Sequence, residues 1–160
     1  MVFRFRMTFP SAKTFAREYD VSAEQTLYDF HRFVQNELDY DEAQPVLFHT
    51  ADNKWKFGRG FSLTGVRNTE LMDEVSIGSI VRSNCYRMLY TFDVLNKRSF
   101  RLELLEMLEA EPRKRYPSLE FEQGDTPGQI GKTNSKLSAI FDQAMPDFDD
   151  SIYSAGSGDD

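Results

Sequence analysis

Cysteine is almost missing. Cys85 is the single one in 160 residues, which excludes an internal disulfide and any cysteine-based zinc site. A lone thiol suits the reducing cytosol, and the sequence is read as cytoplasmic. Histidine is nearly as scarce. His31 and His49 have no second His or Glu at a metal-ligand spacing such as H-E-x-x-H, which argues against a zinc enzyme. Long apolar runs are missing too. No stretch approaches 18 uncharged apolar residues, so no membrane span is expected. The opening "MVFRFRMTFP" has arginines inside its apolar run, unlike the continuous apolar core of a signal peptide. No G-x-S-x-G occurs to raise nucleophilic catalysis.

Positive charge is missing from one region only. Residues 141–160, "FDQAMPDFDDSIYSAGSGDD", hold six Asp and neither Lys nor Arg, against a net charge of −7 for the chain. Without them residues 1–140 carry −1, so the acidity belongs to the tail and says little about what the body binds. What the sequence has in quantity is large apolar side chains, with fourteen Phe and seven Tyr. A chain of this length buries roughly 68–70% of its unfolded surface and needs no metal or disulfide to hold it. No cofactor is called for. The expected organisation is one domain over 1–130 and a polar to acidic tail over 131–160. Within the tail, "NSKLSAIFDQAM" (134–145) has the spacing of a short amphipathic helix, and disorder is expected from Pro146 on.

Hydrophobic periodicity predicts an α+β fold with a mostly antiparallel sheet of about five or six strands. "VFRFRMTF" (2–9) alternates, with Phe3, Phe5, Met7 and Phe9 on one face and Arg4, Arg6 and Thr8 on the other. "KTFAREYDV" (13–21) follows as a second strand. "TLYDFHRFVQNELD" (26–39) changes to helical period, with Leu27, Phe30, His31, Val34 and Leu38 on one face and Thr26 as cap. "VLFHT" (46–50) and "KWKF" (54–57) flank the turn signal "ADN" as a hairpin. Residues 58–72 have no clear pattern. "SIGSIVR" (76–82) is a short helix capped by Ser76.

The stretch "YRMLYTFDV" (86–94) alternates, and so does "RSFRLEL" (98–104). Buried faces match if an odd-length loop, Asn96 to Arg98, joins them. That register sets Phe92 opposite Leu102, Val94 opposite Phe100 and Asp93 opposite Arg101. The competing reading is a helix over "RLELLEMLEAE"; the alternation favours a strand over 99–105. "EPRKRYPSLE" (111–120) is a loop.

These pieces, in this order, resemble the plasmid pRiA4b ORF-3-like family, also described as transposon passenger proteins of TnpR type. The resemblance rests on "VSAEQTLYDFH", "NKWK", "LMDEVSIGSIV", "LYTFDVLNKRSFRLELLEML" and "YPSLEFEQGDTPGQ", and covers about residues 2–129. It implies an α+β domain with a mostly antiparallel sheet and no established activity. Many members carry Gly-Asp and Trp after the hairpin's Tyr-Asp-Phe, where this chain has Val94 and Leu95. Many carry cysteines in the closing segment, where this chain has none.

Candidate functional residues follow from charge and aromaticity. Lys54, Trp55, Lys56, Arg59, Arg98 and Arg101 combine cations with the sole Trp, as a face binding single-stranded nucleic acid by phosphate contacts and stacking would. The near-neutral body does not demand a nucleic-acid partner, and an ordinary solvated sheet face fits as well. Asp93 and Arg101 form a structural cross-strand ion pair in the expected register. "GDTPGQIGKT" (124–133) misses the phosphate-loop spacing, because Thr126 stands where the first Gly belongs. His31 is a half-buried core residue. Asp39, Asp41 and Glu42 are a solvated loop run. The tail sets Phe148, Ile152 and Tyr153 among acids; it can solubilise, dock on a partner or fold back on the basic face. The functional expectation is a non-enzymatic cytosolic binding or accessory protein of a mobile-element family. Alternatives are a nucleic-acid-binding accessory protein and an enzyme of unrecognised type. The partner is a protein or a nucleic acid; a membrane is not expected.

Overall fold

The computed structural model describes residues 1–130, so the expectations for 131–160, including a helix at 134–145, lie outside the described residues. In the described residues one eight-stranded sheet carries two helices. Strand β1 (Val2–Phe9) pairs antiparallel with β2 (Ala12–Ser22), setting Phe3 opposite Val21 and Phe5 opposite Tyr19. Helix α1 (Leu27–Glu37) follows. Its Thr26 side chain accepts from the Asp29 backbone N–H at 3.1 Å, and the Asp29 carboxylate accepts from the Thr26 N–H at 2.9 Å. Two of the first turn's free donors are thereby satisfied.

Strands β3 (Leu47–Ala51) and β4 (Phe57–Ser62) form the expected hairpin with shifted bounds. Lys54, Trp55 and Lys56 are not in a strand as expected but in the turn. The Asp52 carboxylate accepts from the Lys54 and Lys56 N–H groups at 2.8 and 2.9 Å, and Trp55 sits at φ 63°. The Lys–Trp–Lys–Phe alternation imitates a strand, but an Asx-type turn satisfies this backbone instead. These hydrogen bonds also hold the Asp52 pKa below the ordinary carboxylate range.

Strand β5 (Glu70–Leu71) runs parallel to β4, and α2 (Ile77–Arg82) is capped by Ser76 as expected. Strands β6 (Arg87–Asp93), β7 (Arg98–Leu108) and β8 (Ser118–Gln123) complete the sheet. The order is β5-β4-β3-β6-β7-β1-β2-β8, and every pairing but β4–β5 is antiparallel. The count exceeds the expected five or six because of the two edges. β5 has two residues, and β8 is exposed along most of its length, so neither has the one-sided burial that makes a strand legible.

The β6–β7 register differs from expectation. Tyr90 faces Phe100, Leu89 faces Arg101 and Asp93 faces Arg98. The loop is four residues, Val94 to Lys97, not three. The buried face was identified correctly because face selection fixes only the parity of the register. Side chains fix the rest: Asp93 accepts from the Asn96 side-chain amide at 2.9 Å and from Arg98 at 3.1 Å. The helix reading of 101–111 is overturned by the same pairing, since β7 continues to Leu108 along β1.

Both helices pack on one side of the sheet. Phe3, Phe5 and Met7 of β1, Phe48 of β3, Met88, Tyr90 and Phe92 of β6 and Phe100 and Leu102 of β7 meet Leu27, Phe30, Val34, Ile77 and Ile80 there. Phe92 stacks on Phe100 with ring centroids 4.2 Å apart. The Tyr90 hydroxyl ties sheet to helix, 2.7 Å from His31 Nδ1 and 2.7 Å from the Gln35 side-chain amide. Burial pushes the Tyr90 pKa up and the His31 pKa down to about 4. The Tyr90 hydroxyl donates a hydrogen bond to neutral His31, and Gln35 donates to the Tyr90 oxygen.

The closing segment is tied down by side chains. Buried Arg17 donates to the carbonyls of Gln123 at 2.8 Å and Gly124 at 3.3 Å, and to the Thr126 hydroxyl at 3.2 Å. Gly124 is required at φ 76°, where a Cβ would collide with the Thr14 carbonyl. Gln129 exchanges two hydrogen bonds with the Asp41 backbone, and Arg98 donates to the Gly128 carbonyl at 2.8 Å. "GDTPGQ" is thus a strap across the domain.

Since His31 has a pKa near 6.5 when unfolded, the unfolded chain takes up a proton on acidification that the native state refuses. His31 therefore contributes stability above pH 6.5 that is lost as pH falls toward 4. Between pH 7 and 5 the loss is about 2 kcal/mol. Urea unfolding at both pH values should show the wild type losing about that much more than His31→Gln. Parallel losses would contradict the assignment.

Candidate binding face of the sheet

The odd-numbered residues of β3, β6 and β7 point away from the helices. On this side Leu47, Leu89 and Val94 are buried, although they lie outside the main core. The Trp55 ring covers part of this surface. The guanidinium carbons of Arg87 and Arg101 lie 5.2 and 4.9 Å from its ring centroid. Such contacts are worth roughly 0.5–1 kcal/mol each at partly exposed sites. Arg87 also pairs with Glu103 at 2.9 Å. Among the described residues no carboxylate lies within ion-pair distance of Arg101, and the Trp55 ring is its contact. Lys54 and Lys56 are exposed on the same turn as Trp55.

Beside this platform is a slot of about 270 Å³ lined by Leu47, His49, Phe57, Thr91, Val94, Lys97 and Ser99. His49 and Phe57 stack with centroids 4.5 Å apart and planes 12° from parallel. A Cβ at Gly60 would stand 3.2 Å from the His49 ring, so glycine there gives this wall its room. The Thr91 and Ser99 hydroxyls are 2.7 Å apart in the cross-strand pair at the slot's floor. Phe57 is 53% exposed, a large apolar side chain left to solvent at the rim.

The other half of the same face is neutralised. Arg4 forms a two-pronged ion pair with Asp20, at 2.7 and 2.9 Å. Arg6 meets Glu18 at 2.8 Å. The Arg4 pKa is raised, first by its hydrogen bond to Asp20.

The structure divides the sequence candidates. Lys54, Trp55, Lys56 and Arg101 come together. Arg59 does not join them; it pairs with Glu70 at 2.8 Å and lies over Phe61 on the helix side. Arg98 is drawn to the helix side of the sheet, over the rings of Phe92 and Phe9 at 4.9 and 5.4 Å. The expected Asp93–Arg101 pair is replaced by Asp93–Arg98, because the register moves Arg101 opposite Leu89. Arg87, Phe57, Thr91 and Ser99 escaped the sequence reading as site residues. Arg87 has the parity of Leu89 and Thr91, which was a usable signal. Phe57 had none, since its role depends on the turn before it.

Among the described residues no group of three or more His, Cys, Asp and Glu side chains is placed to hold a metal ion. No helix of the described residues is long and apolar enough to cross a membrane.

A double-mutant cycle distinguishes the two pairings of Asp93. Asp93 is 6% exposed, so removing its Arg98 partner should cost about 2–4 kcal/mol, near the range for a broken buried pair. The coupling energy measured by chemical denaturation should exceed 1 kcal/mol for Asp93→Asn with Arg98→Met, and be near zero for Asp93→Asn with Arg101→Met. The reverse order would contradict the register.

No curated protein matches the chain. A protein of unknown function from Methanosarcina mazei Go1, MM3350, has a crystal structure similar over 99% of this chain and 90% of its own, with a TM-score of 0.70 and 15% sequence identity. At that identity the likeness speaks for the fold alone. The family profile described as plasmid pRiA4b ORF-3-like protein matches residues 2–147. By the extent of that match, the chain belongs to the plasmid pRiA4b ORF-3-like family.

Proposed function

We propose that the protein is a binding module without catalysis of its own, and that it recognises an acidic polypeptide segment with the β3–β6–β7 half of its helix-free face. One observation carries this: Trp55, Arg87, Arg101, Lys54 and Lys56 gather beside an apolar slot on a face that no helix of the described residues covers. The strongly shifted titratable groups support the reading from the other side. His31 and Tyr90 are bonded to each other, Tyr19 donates to Glu37, and Arg4 is locked to Asp20, so each is engaged in holding the fold. The half-buried Cys85 thiol fits a cytoplasmic setting. The plasmid reading frame in the family's name supports an accessory role beside mobile elements.

Single-stranded nucleic acid is the second ligand that a cationic aromatic platform fits. With Arg59 and Arg98 turned to other partners, the remaining cations form a short patch around one ring, next to a slot sized for one side chain. A strand of nucleic acid instead needs a groove that follows its backbone over several nucleotides.

Fluorescence anisotropy separates the two. A labelled peptide with one Phe among Asp residues should bind, and the pair Trp55→Ala with Arg101→Glu should weaken it at least tenfold. A labelled mixed-sequence single strand should bind more weakly than the peptide. Tight oligonucleotide binding with a steep log–log salt slope, and no peptide binding, would overturn the proposal in favour of nucleic acid.

A further inference from the structure

The slot and the cationic platform also select for a segment that this chain itself carries. Resting on the binding role just proposed, we infer that the acidic C-terminal segment 146–153, "PDFDDSIY", is the natural occupant of the slot. Phe148 would enter between Thr91, Ser99 and the stacked His49 and Phe57, with its flanking acids toward Lys97 and Arg101.

Three observations converge. The first is chemistry: the slot is lined by Leu47, His49, Phe57 and Val94 with one pair of hydroxyls, and has the size for an aromatic side chain. The segment supplies one Phe with Asp147 before it and Asp149 and Asp150 after it. The second is charge. Residues 141–160 hold six Asp and no cation, and Arg101 has no carboxylate at ion-pair distance among the described residues. Opposite charges at the rim steer the encounter and fix orientation.

The third is position. The described chain ends at Ile130, two residues after Gly128, whose carbonyl Arg98 holds at 2.8 Å. Arg98 directly follows the β6–β7 turn that contributes Val94 and Lys97 to the slot. Arg98 lies over Phe9 and Phe92 on the helix side, so the described chain ends on that side beside the β6–β7 turn, and the remaining residues reach the slot around the turn. Phe148 lies eighteen residues beyond Ile130, a reach of about 27 Å even at the rise of a helix. A tether of that order presents its end at on the order of 1 mM effective concentration. A segment with a Kd of about 0.1 mM would then occupy the slot about nine-tenths of the time. An outside peptide would see its affinity reduced about tenfold, so the segment works as a built-in competitor.

The full-length chain tests this with a fluorescein-labelled peptide of residues 145–156 as probe. The comparison is between wild type and the full-length triple variant Phe148→Ala, Asp149→Asn, Asp150→Asn. The probe should bind the variant at least fivefold more tightly than the wild type. The backbone amides of Leu47, Thr91, Val94 and Ser99 should differ in NMR shift between the two chains before any probe is added. Lys97→Glu in the variant background should weaken the probe again. Equal probe affinity for both chains, with unchanged slot amides, would overturn the inference and leave the binding face standing. No binding of the probe or of an unrelated acidic peptide by either chain would overturn the binding face as well.

Discussion

Packing of both helices on one side of the sheet is the constraint from which the rest follows. It assigns Phe48, Tyr90, Phe92 and Phe100 to a dry interior and leaves Leu47, His49, Leu89, Thr91 and Arg101 on a surface that no helix of the described residues covers. Tyr90 holds the arrangement in place from inside. Its ring packs 4.5 Å from that of Phe48, while its hydroxyl is shared by His31 and Gln35 of the helix. A buried hydroxyl must find partners, so the rotation of α1 on the sheet is fixed by hydrogen bonds as well as by shape. With that fixed, what the opposite face shows to solvent is fixed too.

That opposite face solves its exposure problem in two ways. Along β1 and β2 the outward positions alternate cation with carboxylate, and Arg4–Asp20 and Arg6–Glu18 close upon themselves. Along β3, β6 and β7 the outward positions mix apolar and hydroxylic side chains with Arg87 and Arg101, and the cover is a turn. Asp52 coils residues 52–56 so that Trp55 folds back over Arg87 and Arg101. This cover is partial. Among the described residues it does not close the slot, and Phe57 stays half exposed at its edge.

How far the sequence was legible depends on how one-sided each element's burial is. β1 and α1 were readable to within a few residues because Phe3, Phe5 and Met7, or Leu27, Phe30 and Val34, repeat at one period against polar neighbours. β8 was not, since Leu119 and Phe121 are 38% and 40% exposed and the strand has little buried face to announce it. The β6–β7 hairpin lies between these cases. Parity found its faces, yet the loop length was decided by Asp93 gripping Asn96 and Arg98, a choice of partners invisible to periodicity. The site inherits that error. Moving the register by two residues on each strand separates Arg101 from Asp93 and brings it under Trp55. Lys54 and Lys56 were found by composition for the wrong reason, as strand residues, and keep their place because the turn stands beside the same face.

The central claim is that the surface between Trp55 and the β6–β7 turn is where this protein meets its partner. The most direct measurement is amide chemical-shift mapping on the full-length chain at saturating acidic aromatic peptide. The account predicts that the largest shifts fall on Leu47, His49, Trp55, Leu89, Thr91, Ser99 and Arg101, with α1 and the Arg4–Asp20 region unmoved. Shifts centred on the outer surface of α1, or on β1 and β2, would contradict it.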